Sequence, residues 1–513
     1  TGRPIVITTL VLVLGFGPFA VSDYVPIFNM GTLLPMCLLV ALAADLFMVP
    51  AMARLGWFAF PRLDPAEAAA GPSADGRKLM TILLVSPYDE TYRHGRSSFR
   101  RNVSYPALTL PTLAALVPEG LPARVRVVDE GVEPLERLDE VDLIGITCVT
   151  PSAPRAYEIA DQARRLGIPV VLGGPHPTLN PDEAARHADS VVIGFAEDTW
   201  PRLLADLADK GRMAPVYRQE GRVDLAGRPF PRRDLLNLSR YLSVPVIQAS
   251  RGCPNTCTFC SIPAMWGRDF HARPVQDVVR EIESLDSKRF LFLDPSLAEN
   301  PRYAFELFNA LRPLKIRWGG LATIKLAEDP VLLKAAADSG CRGILVGFES
   351  ISQESLSAIH KHFGNATAYL DAVNRFHDHG IAVLGTFVFG LDHEGPDVFE
   401  RTAQFVDEAR IDLVRYSVFT PFPGTPAFDK LDSEGRILTR DWNLYNTENV
   451  VFRPLHMTPE QLQDGLARAW RHTTSIRSIV HRVRFTAPLG LFAFGANLAF
   501  RFYAKKAVRA GRG

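Results

Sequence analysis

Residues 248–260 read Gln248-Ala249-Ser250-Arg251-Gly252-Cys253-Pro254-Asn255-Thr256-Cys257-Thr258-Phe259-Cys260. Three cysteines within eight residues put three soft thiolate donors on one short loop. Such a loop can serve three irons of a four-iron cluster and leave the fourth iron open. Zinc in a closed structural site needs a fourth protein ligand, and no further cysteine is close in sequence, although His271 could be offered. Cys37, Cys148 and Cys341 are isolated and read as small buried apolar residues. Six cysteines in 513 residues are not a disulfide scaffold, which points to a reducing compartment.

Downstream of the cysteines the chain reads as successive strand–helix units. Apolar runs at 289–294, 316–318, 343–348, 381–389 and 414–419 are separated by helical patterns at 275–285, 330–339 and 366–379. Six such units predict a partial (β/α)6 barrel over 244–455, whose chemistry belongs at the carboxyl ends of the strands. Asp294 ends one run, and Glu349-Ser350 ends another.

Upstream, short apolar runs at 79–85, 125–128, 143–149, 169–172 and 191–193 alternate with helical patterns such as 156–166 and 199–207. This predicts a doubly wound parallel α/β sheet over 78–215, with a linker at 216–243. Ligands of such sheets bind beyond the strand ends. Those ends carry Thr150 and Ser152, then Gly173, Gly174 and His176, then Gly194 and Glu197. The G-x-G-x-x-G signature is absent; a nucleotide-binding or ligand-free flavodoxin-like module stays open on these residues.

Cys-x-x-x-Cys-x-x-Cys after a strand, with Phe259 before the last cysteine, resembles the radical S-adenosylmethionine (SAM) signature. The preceding sheet resembles the cobalamin-binding domain found before many such barrels. The resemblance implies a [4Fe–4S] cluster on Cys253, Cys257 and Cys260, with SAM chelating the open iron. It implies SAM contacts from Phe259 (adenine, through its backbone), Asp294 (the methionine end) and Glu349-Ser350 (the ribose). It implies cobalamin held by Thr150, Ser152, Gly173, Gly174, His176, Gly194 and Glu197. The Asp-x-His-x-x-Gly motif that ligates cobalt from below is missing: the loop after the first strand runs from Pro87 to Gly95 with His94 at the wrong spacing. No lower histidine ligand is therefore expected, and His176 is expected to hydrogen-bond its loop. The reaction implied is methyl transfer to an unactivated carbon, with an electron donor such as flavodoxin or ferredoxin. A non-methylating radical cyclisation or rearrangement is the alternative within the class, and a membrane transport component or ligand sensor the alternative outside it.

The chain ends carry a different signal. Residues 1–53 hold only three charges, Arg3, Asp23 and Asp45, and two apolar stretches each approach bilayer length. A transmembrane helical hairpin is expected over 1–60, followed by an Ala/Pro/Gly-rich linker at 61–77. It resembles the last two membrane helices of resistance-nodulation-division type transporters. Arg3, Arg54 and Arg62 flank the hairpin and put both its ends in the cytoplasm, which makes the enzyme membrane-anchored with cytoplasmic catalytic domains. At the other end, 456–513 is expected to be a basic helical extension: from Gly465 there are ten Lys or Arg and no Asp or Glu. Its apolar stretch 485–500 reads as an interfacial segment on anionic lipid, or as a helix docked on the barrel. A net charge of +1 implies no nucleic-acid partner. A membrane lipid or tetrapyrrole-like small molecule is the expected substrate.

Overall fold

The structure, a computed structural model, describes residues 79–88, 105–241, 244–483 and 490–510, with 502–510 as backbone alone. The expected hairpin at 1–60, its linker and His94 lie outside the described residues. Among the described residues no helix is long and apolar enough to cross a membrane.

The first sheet is built from β1 (Met80–Ser86), β2 (Ala123–Asp129), β3 (Leu143–Thr147), β4 (Val170–Gly173), β5 (Ser190–Ile193) and β6 (Val216–Arg218). All pairings are parallel, in the order β2-β1-β3-β4-β5-β6. Ile82 to Val85 are buried without a break, because helices cover both faces of the sheet. Helix Ala153–Arg165 packs on one face and helices Thr109–Ala115 and Thr199–Lys210 on the other. The strand order reverses between β1 and β3, which opens a ligand crevice at the carboxyl ends. β6 comes from the stretch expected to be a linker. Only Tyr217 of its three residues is buried, so it leaves little apolar pattern to read.

The second sheet contains β7 (Val246–Ile247), β10 (Arg289–Phe292), β11 (Arg317–Ala322), β12 (Cys341–Glu349), β13 (Ala382–Phe389) and β14 (Leu413–Val418). They pair in parallel in sequence order, and β7 and β14 are the two edges. This is the expected six-stranded open barrel, filled by aromatic side chains such as Phe290, Phe348, Phe387 and Tyr416. A small antiparallel pair, β8 (Ser250–Arg251) with β9 (His271–Ala272), brackets the cysteine loop.

Helices beyond 455 pack on the barrel. Helix Pro459–Thr473 lies against β14 and helix Val398–Glu408. Gly465 permits this approach, since a Cβ there would sit 2.1 Å from the Phe399 ring. Helices Ile476–Arg482 and Gly490–Ala510 follow. The Arg482 guanidinium is fully buried, donating to Ile411 O at 2.5 Å, Thr473 O at 2.7 Å and Asn497 Oδ1 at 3.2 Å. The last helix is thus docked on the barrel by one face.

Candidate active site

The cysteine loop is fixed by its neighbours before any cofactor enters. Thr258 N donates to Ile359 O, and Ala427 N donates to Thr258 O, both at 3.1 Å. Gly252 has φ +79°, and a Cβ there would collide with Asp269 O, so the turn into Cys253 requires glycine. The three cysteines are half-buried and none is in a disulfide. Burial pushes all three thiols up, Cys260 to about 12, and the Cys257 and Cys260 thiols feel their neighbours' charge. Among the described residues no three His, Cys, Asp or Glu side chains converge as one metal ion requires. A four-iron cluster asks instead for one thiolate on each of three irons, and three soft donors around one loop suit it. Binding of iron would remove the thiol protons.

Cations that the sequence does not advertise border this loop. Lys361 is 5% exposed and donates to Glu349 Oε1 at 2.9 Å. Lys325 donates to Glu299 Oε2 at 3.0 Å and to Asn255 Oδ1 at 3.1 Å, while Asn255 Nδ2 lies 3.3 Å from Cys253 Sγ. The Phe363 ring has both ammonium groups near it, at 4.7 Å for Lys325 and 4.9 Å for Lys361. Although burial opposes it, the Lys325 contact holds the Glu299 carboxyl below its usual value.

Glu349 closes β12 with φ +62°, at a register shift against β13. The irregularity turns its carboxylate toward Lys361, and the next residue is locked: Ser350 Oγ donates to Glu394 Oε1 at 2.7 Å. Glu394 also accepts from the backbone of Gly390 and Leu391. Burial pushes its carboxyl up to about 7. Phe259 is half-buried beside Phe419, their centroids 6.4 Å apart.

Asp294, expected at the methionine end of SAM, braces the motif strand. It is fully buried, and its carboxylate accepts from Ala249 N, Ser250 N and Ser250 Oγ, so it ties the end of β10 to the motif strand. Burial raises it to about 6.

At the first sheet, the carboxyl ends form a backbone cradle. Gly174 has φ +93°, and a Cβ on it would stand 2.4 Å from Thr147 Oγ1; Gly194 has φ +84°. Gly173 is partly exposed beside them. Thr150 and Ser152 are buried: Thr150 Oγ1 lies 3.2 Å from His176 Nδ1, and Ser152 Oγ bonds back to Val149. His176 is fully buried between Tyr157 and Trp442, with Nε2 3.5 Å from Glu183 and no hydrogen bond of its own. Its Nδ1 is the ring atom that meets the Thr150 hydroxyl on the neighbouring loop. Glu197 is buried, pairs with Arg251 through Oε1 and has an unpartnered Oε2.

The two sets of strand ends face each other. Helix Pro175–Leu179, which follows Gly174, packs against helix Ser261–Trp266, which follows Cys260. Gly424 lies so close to Leu179 that a Cβ would reach its carbonyl oxygen at 2.9 Å. Trp442 Nε1 donates to Glu183 Oε1 at 2.9 Å. A corrin in the glycine cradle and a cluster on the cysteines would therefore be neighbours. Orphaned Glu197 Oε2 and the thiol set fit these groups.

Known proteins divide in the same way. The Radical SAM superfamily model matches residues 247–406, and the B12 binding domain model matches 117–204. The bacteriochlorophyllide d C-12(1)-methyltransferase of Chlorobaculum tepidum is 31% identical over 374 residues, covering 71% of this chain and 81% of that protein. The hopanoid C-2 methylase of Rhodopseudomonas palustris is 27% identical, covering 71% of each. The fold is shared with TsrM, a radical SAM methyltransferase from Kitasatospora setae solved with cobalamin and a [4Fe–4S] cluster. Its TM-score is 0.60 at 17% identity, over 85% of this chain and all of that one.

Proposed function

The chain belongs to the cobalamin-dependent radical SAM methyltransferases, and on that premise we propose that it methylates an unactivated carbon of a hydrophobic, multi-ring substrate of the lipid or tetrapyrrole class. The facing of helix Ser261–Trp266 and helix Pro175–Leu179 carries the reading, because it sets a cluster and a corrin against one shared space. Two relatives, named for a bacteriochlorophyllide and a hopanoid, support the substrate class. When bound, the cluster delivers the electron that cleaves SAM and the cobalamin supplies the methyl group.

The protein's own residues bind and orient. Cys253, Cys257 and Cys260 would hold the cluster. Lys361 would offer its ammonium to the SAM carboxylate, exchanging part of its contact with Glu349, whose carboxylate is then free for ribose hydroxyls. Ser350 and Glu394 fix the backbone from which Glu349 projects. Gly173, Gly174 and Gly194 would let the corrin and its tail approach backbone, with Glu197 as the buried acceptor. Electrons would come from a flavodoxin- or ferredoxin-class carrier. The apolar stretches of residues 1–53 support an anchored enzyme.

Anaerobic reconstitution with iron, sulfide and hydroxocobalamin tests this, followed by mass spectrometry of lipid and pigment extracts incubated with SAM labelled in its methyl group. A labelled product is expected. Deoxyadenosine formed without one would favour radical cyclisation or rearrangement instead.

A further inference from the structure

We propose that the C-terminal helix pair is a docking surface for an anionic lipid bilayer. Helix Ile476–Arg482 and helix Gly490–Ala510 meet through Ile479, Val483 and Ala493, which brings the end of the first against the start of the second. Their inner sides are tied to the barrel. Arg482 is fully buried, Asn497 Nδ2 donates to Asp412 O at 2.8 Å, and Phe500 stacks with Trp470. The outer sides are apolar where a surface helix should be polar. Leu491 is 78% exposed and Phe492 62%, flanking that contact, and Ile476 and Val480 share the outward face of the preceding helix.

Charge selects the occupant. From Gly465 to the last residue the chain has ten Lys or Arg and no acidic residue, in a protein whose charges otherwise nearly cancel. Arg477 is exposed on the same short helix as Ile476 and Val480, and exposed apolar side chains beside a cation are the surface chemistry of an amphipathic helix on anionic headgroups. A second copy of this chain would bring the same excess of cations against it. Asn497 and Arg482 bind at Ile411 and Asp412, just before β14 begins, so the surface lies at the barrel end opposite the cysteines.

Amide exchange of the holoenzyme tests this in lipid nanodiscs of phosphatidylcholine and in nanodiscs containing phosphatidylglycerol. Any anchoring by residues 1–60 is common to both, so the comparison isolates the C-terminal surface. Exchange in peptides spanning 476–501 is expected to slow by about fivefold or more in the anionic discs alone, the factor contributed by one engaged basic residue. Leu491→Ser with Phe492→Ser should remove the difference, and so should the milder Arg477→Glu if the first pair perturbs folding. Equal exchange in both lipids, or slowing that survives both sets of substitutions, overturns the proposal. So does slowing that appears without lipid as protein concentration rises, which would name a second copy as occupant. Methyl transfer in the same discs is read separately, so a failed substrate assignment leaves the exchange result standing.

Discussion

Arg251, two residues before Cys253, ion-pairs with Glu197 on the loop after β5, so one contact joins the cysteine loop to the glycine-lined strand ends of the first sheet. Its guanidinium also lies 5.7 Å from the Phe195 ring centroid, and Arg251 Nε donates to Gln248 Oε1 at 2.9 Å. Gly252 then turns the chain into the cysteines.

A contact that fixes two cofactor sites relative to each other should show itself in coupling. Arg251→Gln is expected to keep the cluster and still cleave SAM, yet yield on the order of tenfold to a hundredfold less methylated product per deoxyadenosine. Truncating one partner also leaves the buried Glu197 uncompensated, at a cost of about 3–5 kcal/mol. Pairing Arg251→Gln with Glu197→Gln should recover part of that stability, measured by denaturant unfolding as a double-mutant cycle. Product and deoxyadenosine falling together would reduce the ion pair to a structural tie.

Lys361 should govern SAM and leave cobalamin alone. A charge-assisted hydrogen bond contributes about 1.5–3 kcal/mol, so Lys361→Met should weaken SAM binding by about tenfold to a hundredfold. Lys361→Arg should restore much of it. Equilibrium binding of SAM to the reconstituted protein gives the measurement, and cobalamin content per chain is the control. If SAM affinity is unchanged in Lys361→Met, the lysine serves Glu349 only.

Glu394 makes the stability of the barrel pH-dependent. Its folded carboxyl titrates at about 7 against 4.5 for an unperturbed one, chiefly through burial. The folded chain therefore holds the proton more tightly than the unfolded chain. This contribution favours folding at low pH, declines as pH rises from about 4.5 to about 7 and levels off above that. Glu394→Gln removes the titration, so the variant's thermal midpoint should fall less steeply between pH 5 and pH 7 than the parent's. Asp294, raised to about 6, supplies a residual slope that both proteins share.

Much of this site is legible because its periodicities and its cysteine spacing are local. The runs ending at Val85, Val128 and Ile193 become β1, β2 and β5 with bounds displaced by one or two residues; β1 and β5 are apolar because both their faces are covered, whereas edge strand β2 keeps Arg124 and Arg126. What escaped is set by burial of charge. Lys361, Lys325, Glu299 and Glu394 look like surface residues until the fold draws each against a partner far along the chain. Asp294 misleads for the same reason. A carboxylate at a barrel-strand end predicts a ligand contact, and its bonds to Ala249 and Ser250 are not visible in the sequence. β6 lacks an apolar run, and Gly465 gives no sign that Phe399 lies against it.

The cradle itself can be tested without touching the cluster. Gly174 combines φ +93° with ψ −168°, a conformation open only to glycine, and a Cβ there would meet Thr147 Oγ1 at 2.4 Å and Cys148 N at 3.1 Å. Gly174→Ala must therefore shift the β4 loop, with a backbone strain of about 1–3 kcal/mol. Helix Pro175–Leu179 starts at the next residue, so the shift reaches the surface offered to the corrin. Cobalamin bound per chain is expected to fall several-fold, while iron per chain stays near the four of an intact cluster. Loss of iron together with cobalamin would mean that the β4 loop supports the cysteine loop through helix Ser261–Trp266, and the cradle would then have no separate role in holding the corrin.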